Sequence, residues 1–206
     1  MNIVCLTGWQ QEPDALAGIA PDALHFEYGA YDNVHAMFKA LPDNVDLAIG
    51  WSLGGQLLVR AIAEGYIKTD RLLLLSASFQ CIAKAHFSQG MPEPDFRAIK
   101  NSYRTNPQEM LARFQALAGI GGMPDLWDNG LFWLEELGRT SCRTLDFSNF
   151  PETWVIHSTN DAVVSFASAE EFVTRIPSST LFPLRACGHA PHLRNSDLLI
   201  RLIHNV

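Results

Sequence analysis

Apolar residues along this chain follow two rhythms. Short, nearly continuous apolar runs at Ile3–Leu6, Ala23–Glu27, Val45–Trp51, Arg71–Ser76, Thr153–Ser158 and Thr180–Leu184 read as six strands. The run Leu72-Leu73-Leu74-Leu75 is too uniformly apolar for a sheet with one wet face. Between these runs the spacing becomes helical. Val34, Met37, Phe38 and Leu41 mark a short helix closed by Pro42, and Leu57, Leu58, Ala61 and Ile62 mark one after Ser52. Further helices are predicted over Ser165–Arg175 and Asp197–His204. Strands that alternate with helices predict an α/β fold: a mostly parallel sheet of about six strands flanked by helices.

From Phe79 to Phe150 the rhythm changes. Pro92, Pro94, Pro107 and Pro124 punctuate helical pieces at Phe96–Tyr103, Pro107–Leu117 and Leu131–Leu137, with no good strand among them. The expected organisation is a core formed by residues 1–78 and 151–206, interrupted by a helical lid at 79–150 packed over one edge of the sheet. Ligands of open α/β sheets sit beyond the carboxyl ends of the strands, so the loops after each strand hold the candidate chemistry.

A chain of 206 residues fits one domain able to bury about 70% of its unfolded surface. No run is long enough to cross a bilayer, and Met1-Asn2-Ile3-Val4-Cys5-Leu6 lacks the basic and long apolar regions of an export signal. Cys5, Cys81, Cys142 and Cys187 are scattered without metal-binding spacing or a disulfide framework, which points to a reducing cytoplasm and to no metal or cofactor. A net charge of −7 disfavours nucleic acid as a partner. The expectation is a monomer.

The sharpest motif is Gly50-Trp51-Ser52-Leu53-Gly54, set between the third strand and its helix. A tight strand-to-helix turn forces such a serine into a strained conformation with its hydroxyl exposed, and the helix start offers free N–H groups to a developing oxyanion. Serine needs a general base, and the base needs an orienting acid. The loop after the fifth strand carries Asp161 as its only carboxylate, and the loop after the sixth carries His189 behind Gly188. The order Ser52, Asp161, His189 is that of the α/β-hydrolases. His192 is a rival base, Asp146 the runner-up acid, and His157 reads as a structural histidine within a strand. The second oxyanion donor is expected in the loop after the first strand, with Trp9 N–H beside Leu53 N–H as the pair. The rings of Trp9 and Trp51 are candidates to wall an acyl pocket, a plain core role for Trp51 standing equally open.

Gly50-Trp51-Ser52-Leu53-Gly54-Gly55, Gly8-Trp9, Gly188-His189-Ala190-Pro191 and Arg113-Phe114-Gln115-Ala116-Leu117 together resemble the pimeloyl-[acyl-carrier-protein] methyl ester carboxylesterases of biotin synthesis. The resemblance implies an α/β-hydrolase with a helical lid, a triad of Ser52, Asp161 and His189, and substrate contacts at Trp9, Leu53 and Phe114. Thr7 stands where that family has a histidine, the chain begins almost at the first core strand, and of the family's lid arginines only Arg113 matches. Arg97, Lys100 and Arg104 fall at i, i+3 and i+7 and would share a helical face, a candidate carrier-protein contact whose plain alternative is a solvated surface.

Overall fold

The computed structural model describes residues 1–122 and 125–204; Pro124, expected to punctuate the insertion, lies outside the described residues. Six strands form one sheet in the order β2-β1-β3-β4-β5-β6. They are β1 (Ile3–Leu6), β2 (Leu24–His25), β3 (Asn44–Trp51), β4 (Lys68–Leu75), β5 (Glu152–Ser158) and β6 (Ser179–Leu184). Every strand pair among the described residues is parallel. The second strand is much shorter than Ala23–Glu27, because Phe26 N–H caps the Cys5 carbonyl at 3.0 Å and the chain then turns into a 3-10 segment at Tyr28–Ala30. Pro183 sits in β6, an edge strand, where a missing donor costs no ladder bond.

Alternation along the strands divides the core between the two faces. Leu6, Ala48, Leu72, Leu74 and Val155 join one cluster with α1 (Val34–Ala40), α2 (Leu53–Ala63) and part of α6 (Phe166–Arg175). Cys5, Leu47, Ile49, Leu73, Leu75 and Ile156 join the other with Leu16 of the Pro13–Leu16 turn and with Leu199 and Ile203 of α7 (Ser196–His204). Both faces of the inner strands are therefore dry, as their uniform apolarity requires.

Between β4 and β5 run three helices, α3 (Glu93–Thr105), α4 (Pro107–Ala118) and α5 (Gly130–Arg139). Here α3 starts three residues before the predicted Phe96, since Pro94 falls in the first turn, where its missing N–H costs nothing. The insertion leaves from β4, an inner strand, and residues of its helices line a cavity together with Ser52, which follows the end of β3. Trp9 Nε1 donates to Gly130 O at 2.8 Å and Gln10 Nε2 to Tyr103 Oη at 2.9 Å, tying the loop after β1 to this layer.

The chain order reverses at β1: β2 lies on one side of it and β3 on the other. The crevice at this switch point lies between the loop carrying Gly8-Trp9 and the turn carrying Ser52.

Candidate active site

At Ser52, β3 breaks into α2 with φ 54° and ψ −118°, a conformation costly for any side chain. The turn is held from both sides: Ser52 N donates to Leu75 O at 2.9 Å and Gly54 N to Thr7 O at 3.0 Å. A Cβ at Gly54 would collide with the carbonyls of Leu6 and Thr7, and one at Gly50 with the backbone of Gly55, so the glycines permit β1, β3 and α2 to pass this closely. Gln10, Ser76 and Ala186 also take positive φ, so the non-glycine residues strained in this way, among those described, lie just beyond the ends of β1, β3, β4 and β6.

Residues far apart in sequence meet at that turn. Ser52 Oγ lies 2.9 Å from His189 Nε2, and His189 Nδ1 lies 2.9 Å from Asp161 Oδ2. With a carboxylate against Nδ1, the proton belongs on Nδ1 and leaves Nε2 free to accept from the serine hydroxyl. The side chain of Asp161 is fully buried. Burial alone would raise its pKa, but hydrogen bonds from His157, His189 and the Val164 N–H, with the charge of His189, together hold it well below the usual carboxylate range. The arrangement can draw a proton from Ser52 and hold the resulting imidazolium against an ionised acid.

The His189 loop has its own scaffold. Cys187 N donates to Ser158 Oγ at 3.0 Å and Gly188 N to Asn160 Oδ1 at 3.2 Å, while Ser158 Oγ donates to Asn160 Oδ1 at 2.6 Å. Gly188, just before His189, takes φ 61°, a conformation glycine adopts without strain. Ser158 and Asn160 escaped the sequence reading; their only signal is a pair of short polar residues flanking Thr159 just before Asp161. His157 also reaches the acid, with Nε2 3.3 Å from Asp161 Oδ2.

An apolar cavity of about 110 Å³ opens on Ser52, lined by Trp9, Ile99, Met110, Phe114 and Leu134 among others, and no charged side chain among the described residues lines it. Phe114 packs edge-on to Trp9 at 5.8 Å and to His189 at 6.5 Å between ring centres. Leu53 contributes no wall, since its side chain is buried in the core, but as the first residue of α2 its N–H has no intrahelical acceptor. The loop of Trp9 flanks Ser52 closely enough that a Cβ on Gly8 would stand 3.5 Å from Ser52 Cβ. Thr7 serves through its backbone: its carbonyl accepts from both Gly54 N and the Tyr28 hydroxyl.

Trp51 corrects one expectation. It does not line the cavity; its side chain points to the opposite face of the sheet, 1% exposed, and its Nε1 donates to His189 O at 2.8 Å. The strand's alternation decides this, because Trp51 follows Leu47 and Ile49 onto that face. His192 lies against Trp51 with ring centres 4.4 Å apart and makes no bond to Ser52 or Asp161. Burial, with a smaller effect from His189, lowers its pKa to about 4. Asp146 sits on an exposed turn, accepting from Ser148 N at 2.9 Å.

The candidate carrier contacts are all paired. Arg97 faces Glu93 at 3.5 Å, Lys100 and Arg104 both face Glu135 of α5 at 3.7 and 2.6 Å, and Arg113 pairs with Glu109. The basic stripe on α3 is real as a spacing, but opposite charges answer it.

A model of the alpha/beta hydrolase family matches residues 3–202. The chain belongs to that family. Among curated relatives it is 28% identical over 195 residues to a pimeloyl-[acyl-carrier protein] methyl ester esterase of Aromatoleum aromaticum, covering 83% of this chain and 77% of the relative. It is 25% identical over 207 residues to a biotin biosynthesis bifunctional protein of Teredinibacter turnerae, of which it spans only 35%. Among solved structures, an esterase from Exiguobacterium antarcticum superposes with a TM-score of 0.83 at 16% identity, covering all of this chain and 91% of that one, a likeness of fold. Among the described residues no helix is long and apolar enough to cross a membrane.

Proposed function

We propose that this hydrolase is a serine carboxylesterase that cleaves the methyl ester of a pimeloyl group borne on an acyl carrier protein, releasing methanol in the cytoplasm. The observation that carries the esterase reading is the unbroken hydrogen-bonded line from Ser52 through His189 to Asp161, opening on an uncharged cavity. The pimeloyl substrate draws its support from the relatives' names and from the motifs shared with that family.

Ser52 Oγ attacks the ester carbonyl as His189 Nε2 takes its proton. The oxygen charge that develops is met by the N–H groups of Leu53 and Trp9, and losing one such donor costs about 10²- to 10³-fold in turnover. His189 then hands the proton to the departing alkoxide, leaving an acyl-enzyme. A water molecule, deprotonated by His189, repeats the attack and frees the acid and Ser52. An uncharged, largely apolar cavity suits an alkyl chain without a free carboxylate. Ile99, Met110, Phe114 and Leu117 are shared between this cavity and a surface groove along α3 and α4, a route by which the tail of a long substrate reaches solvent.

The paired cations favour a second reading: an esterase of free esters that needs no carrier. Rates on pimeloyl-carrier methyl ester and on free dimethyl pimelate decide between the two, with complementation of a biotin-requiring strain lacking its own pimeloyl esterase as the cellular check. A Ser52→Ala protein that kept wild-type hydrolysis of p-nitrophenyl esters would defeat both.

A further inference from the structure

We infer that His157 is a positioning residue for Asp161, the strut that holds the acid loop in the shape His189 requires; the inference rests on the esterase reading above for its kinetic consequence. His157 is the second-last residue of β5 and is fully buried. Its Nε2 lies 2.9 Å from Val164 O and 3.3 Å from Asp161 Oδ2, two acceptors on the loop that follows. Only a proton on Nε2 suits that pair of neighbours. Nδ1 has no partner among the described residues, and a proton there would be a buried donor without an acceptor. The tautomer is therefore fixed by the surroundings.

The loop closes on itself through this ring. Asp161 Oδ1 accepts from Val163 N at 2.8 Å and Val164 N at 2.9 Å, rolling residues 161–164 around the carboxylate. Val164 is then gripped on its other side as well, its carbonyl accepting from His157 Nε2. What remains of the carboxylate, Oδ2, meets the edges of two imidazoles, His157 from the strand and His189 from the loop after β6. The ring of Phe166 meets the His157 ring at 80° with centres 6.0 Å apart, which sets the plane of the imidazole. His157 neither lines the cavity nor touches Ser52, so it acts through Asp161 and the 161–164 loop that carries it.

The test compares His157→Gln, whose amide N–H reaches the position of Nε2, with His157→Asn, one methylene too short. Thermal melting verifies that each is folded, fluorophosphonate labelling of Ser52 in the wild type verifies the esterase reading, and the low-field proton resonance of the His189–Asp161 hydrogen bond reports its geometry. Small misplacements of a catalytic group cost up to about 10²-fold. His157→Asn should lose about 10- to 100-fold in kcat on p-nitrophenyl butyrate, with KM within about threefold and the low-field resonance lost, and His157→Gln should recover most of both. Equal rates and resonances in the two folded variants overturn the inference, as does wild-type kcat in His157→Asn. If the wild-type protein is neither labelled nor active, the esterase reading fails instead, and the resonance still decides whether His157 orders Asp161.

Discussion

Trp51 and His189 are joined by a hydrogen bond of 2.8 Å from the indole Nε1 to the backbone carbonyl, across 138 positions of sequence. The bond pins the loop of His189 to the strand that ends at Ser52, so one rigid element sets both ends of the Ser52–His189 contact. Trp51→Phe keeps an aromatic ring in place but removes the donor together with part of the buried indole, so the melting curve is needed to separate packing from alignment. The expected result is a folded protein whose kcat on p-nitrophenyl esters falls about tenfold, in keeping with slight misalignment of the base. Stopped-flow turnover beside a melting curve checks it, and an unchanged kcat would show the loop to be held by Ser158 and Asn160 alone.

The strain at Ser52 makes a different prediction. A backbone held at φ 54° and ψ −118° costs about 1–3 kcal/mol, and glycine escapes most of that cost while losing some through its larger unfolded-state freedom. Ser52→Gly should therefore be inactive yet more stable than the wild type by about 1 kcal/mol, a rise in Tm of about 2–4 °C for a chain of this size. Ser52→Ala keeps the Cβ and gains little. Calorimetry on the three proteins distinguishes stored strain from a relaxed turn.

That turn was readable from residue types alone, because Gly50, Ser52 and Gly54 each answer a steric demand that few other residues satisfy. The order of Ser52, Asp161 and His189 and the six-strand parallel sheet were equally legible, since strand-end loops and apolar runs are local signals. Three features were not. The side of the sheet that Trp51 faces depends on strand register, which a run of uniformly apolar residues conceals. That the insertion departs from an inner strand is a property of topology, which no local pattern carries. The neutralisation of Lys100 and Arg104 by Glu135 joins residues 35 and 31 positions apart on different helices, beyond the reach of helical spacing. Ser158 and Asn160 stayed hidden for the same reason, and His157 read as a structural histidine without sign of its contact with Asp161, as these partners lie across loops rather than along an element.

His192 predicts a pH dependence of stability. Its pKa falls from 6.5 to about 4 on folding, chiefly through burial, so between those values the unfolded chain binds a proton that the native chain refuses. Stability should fall as pH is lowered through that window, by about 3 kcal/mol, and the loss from this group should be complete below it. Asp161 acts in a separate range: with its native pKa depressed from 3.8, its contribution is fully present above that value and is lost as pH falls further. His192→Phe, packed against Trp51 in place of the imidazole, should flatten the upper window and leave the lower one intact. Urea midpoints measured from about pH 7 to pH 2 separate the two groups.

The pairing of Lys100 and Arg104 with Glu135 turns the choice between carrier-linked and free esters into a mutational test. Glu135 is partly exposed, so its ion pairs stabilise the fold by no more than about 1 kcal/mol, and replacing it is safe for the structure. Glu135→Gln frees two cations on one face of α3. If an acidic carrier docks there, its KM should drop severalfold at low salt, the gain should vanish as ionic strength rises, and kcat on a free methyl ester should not change. If the substrate is a free ester, both KM values stay where they were at every salt concentration. Steady-state kinetics on the two substrates at about 20 and 300 mM salt, with Debye lengths of roughly 20 and 6 Å, read the difference directly.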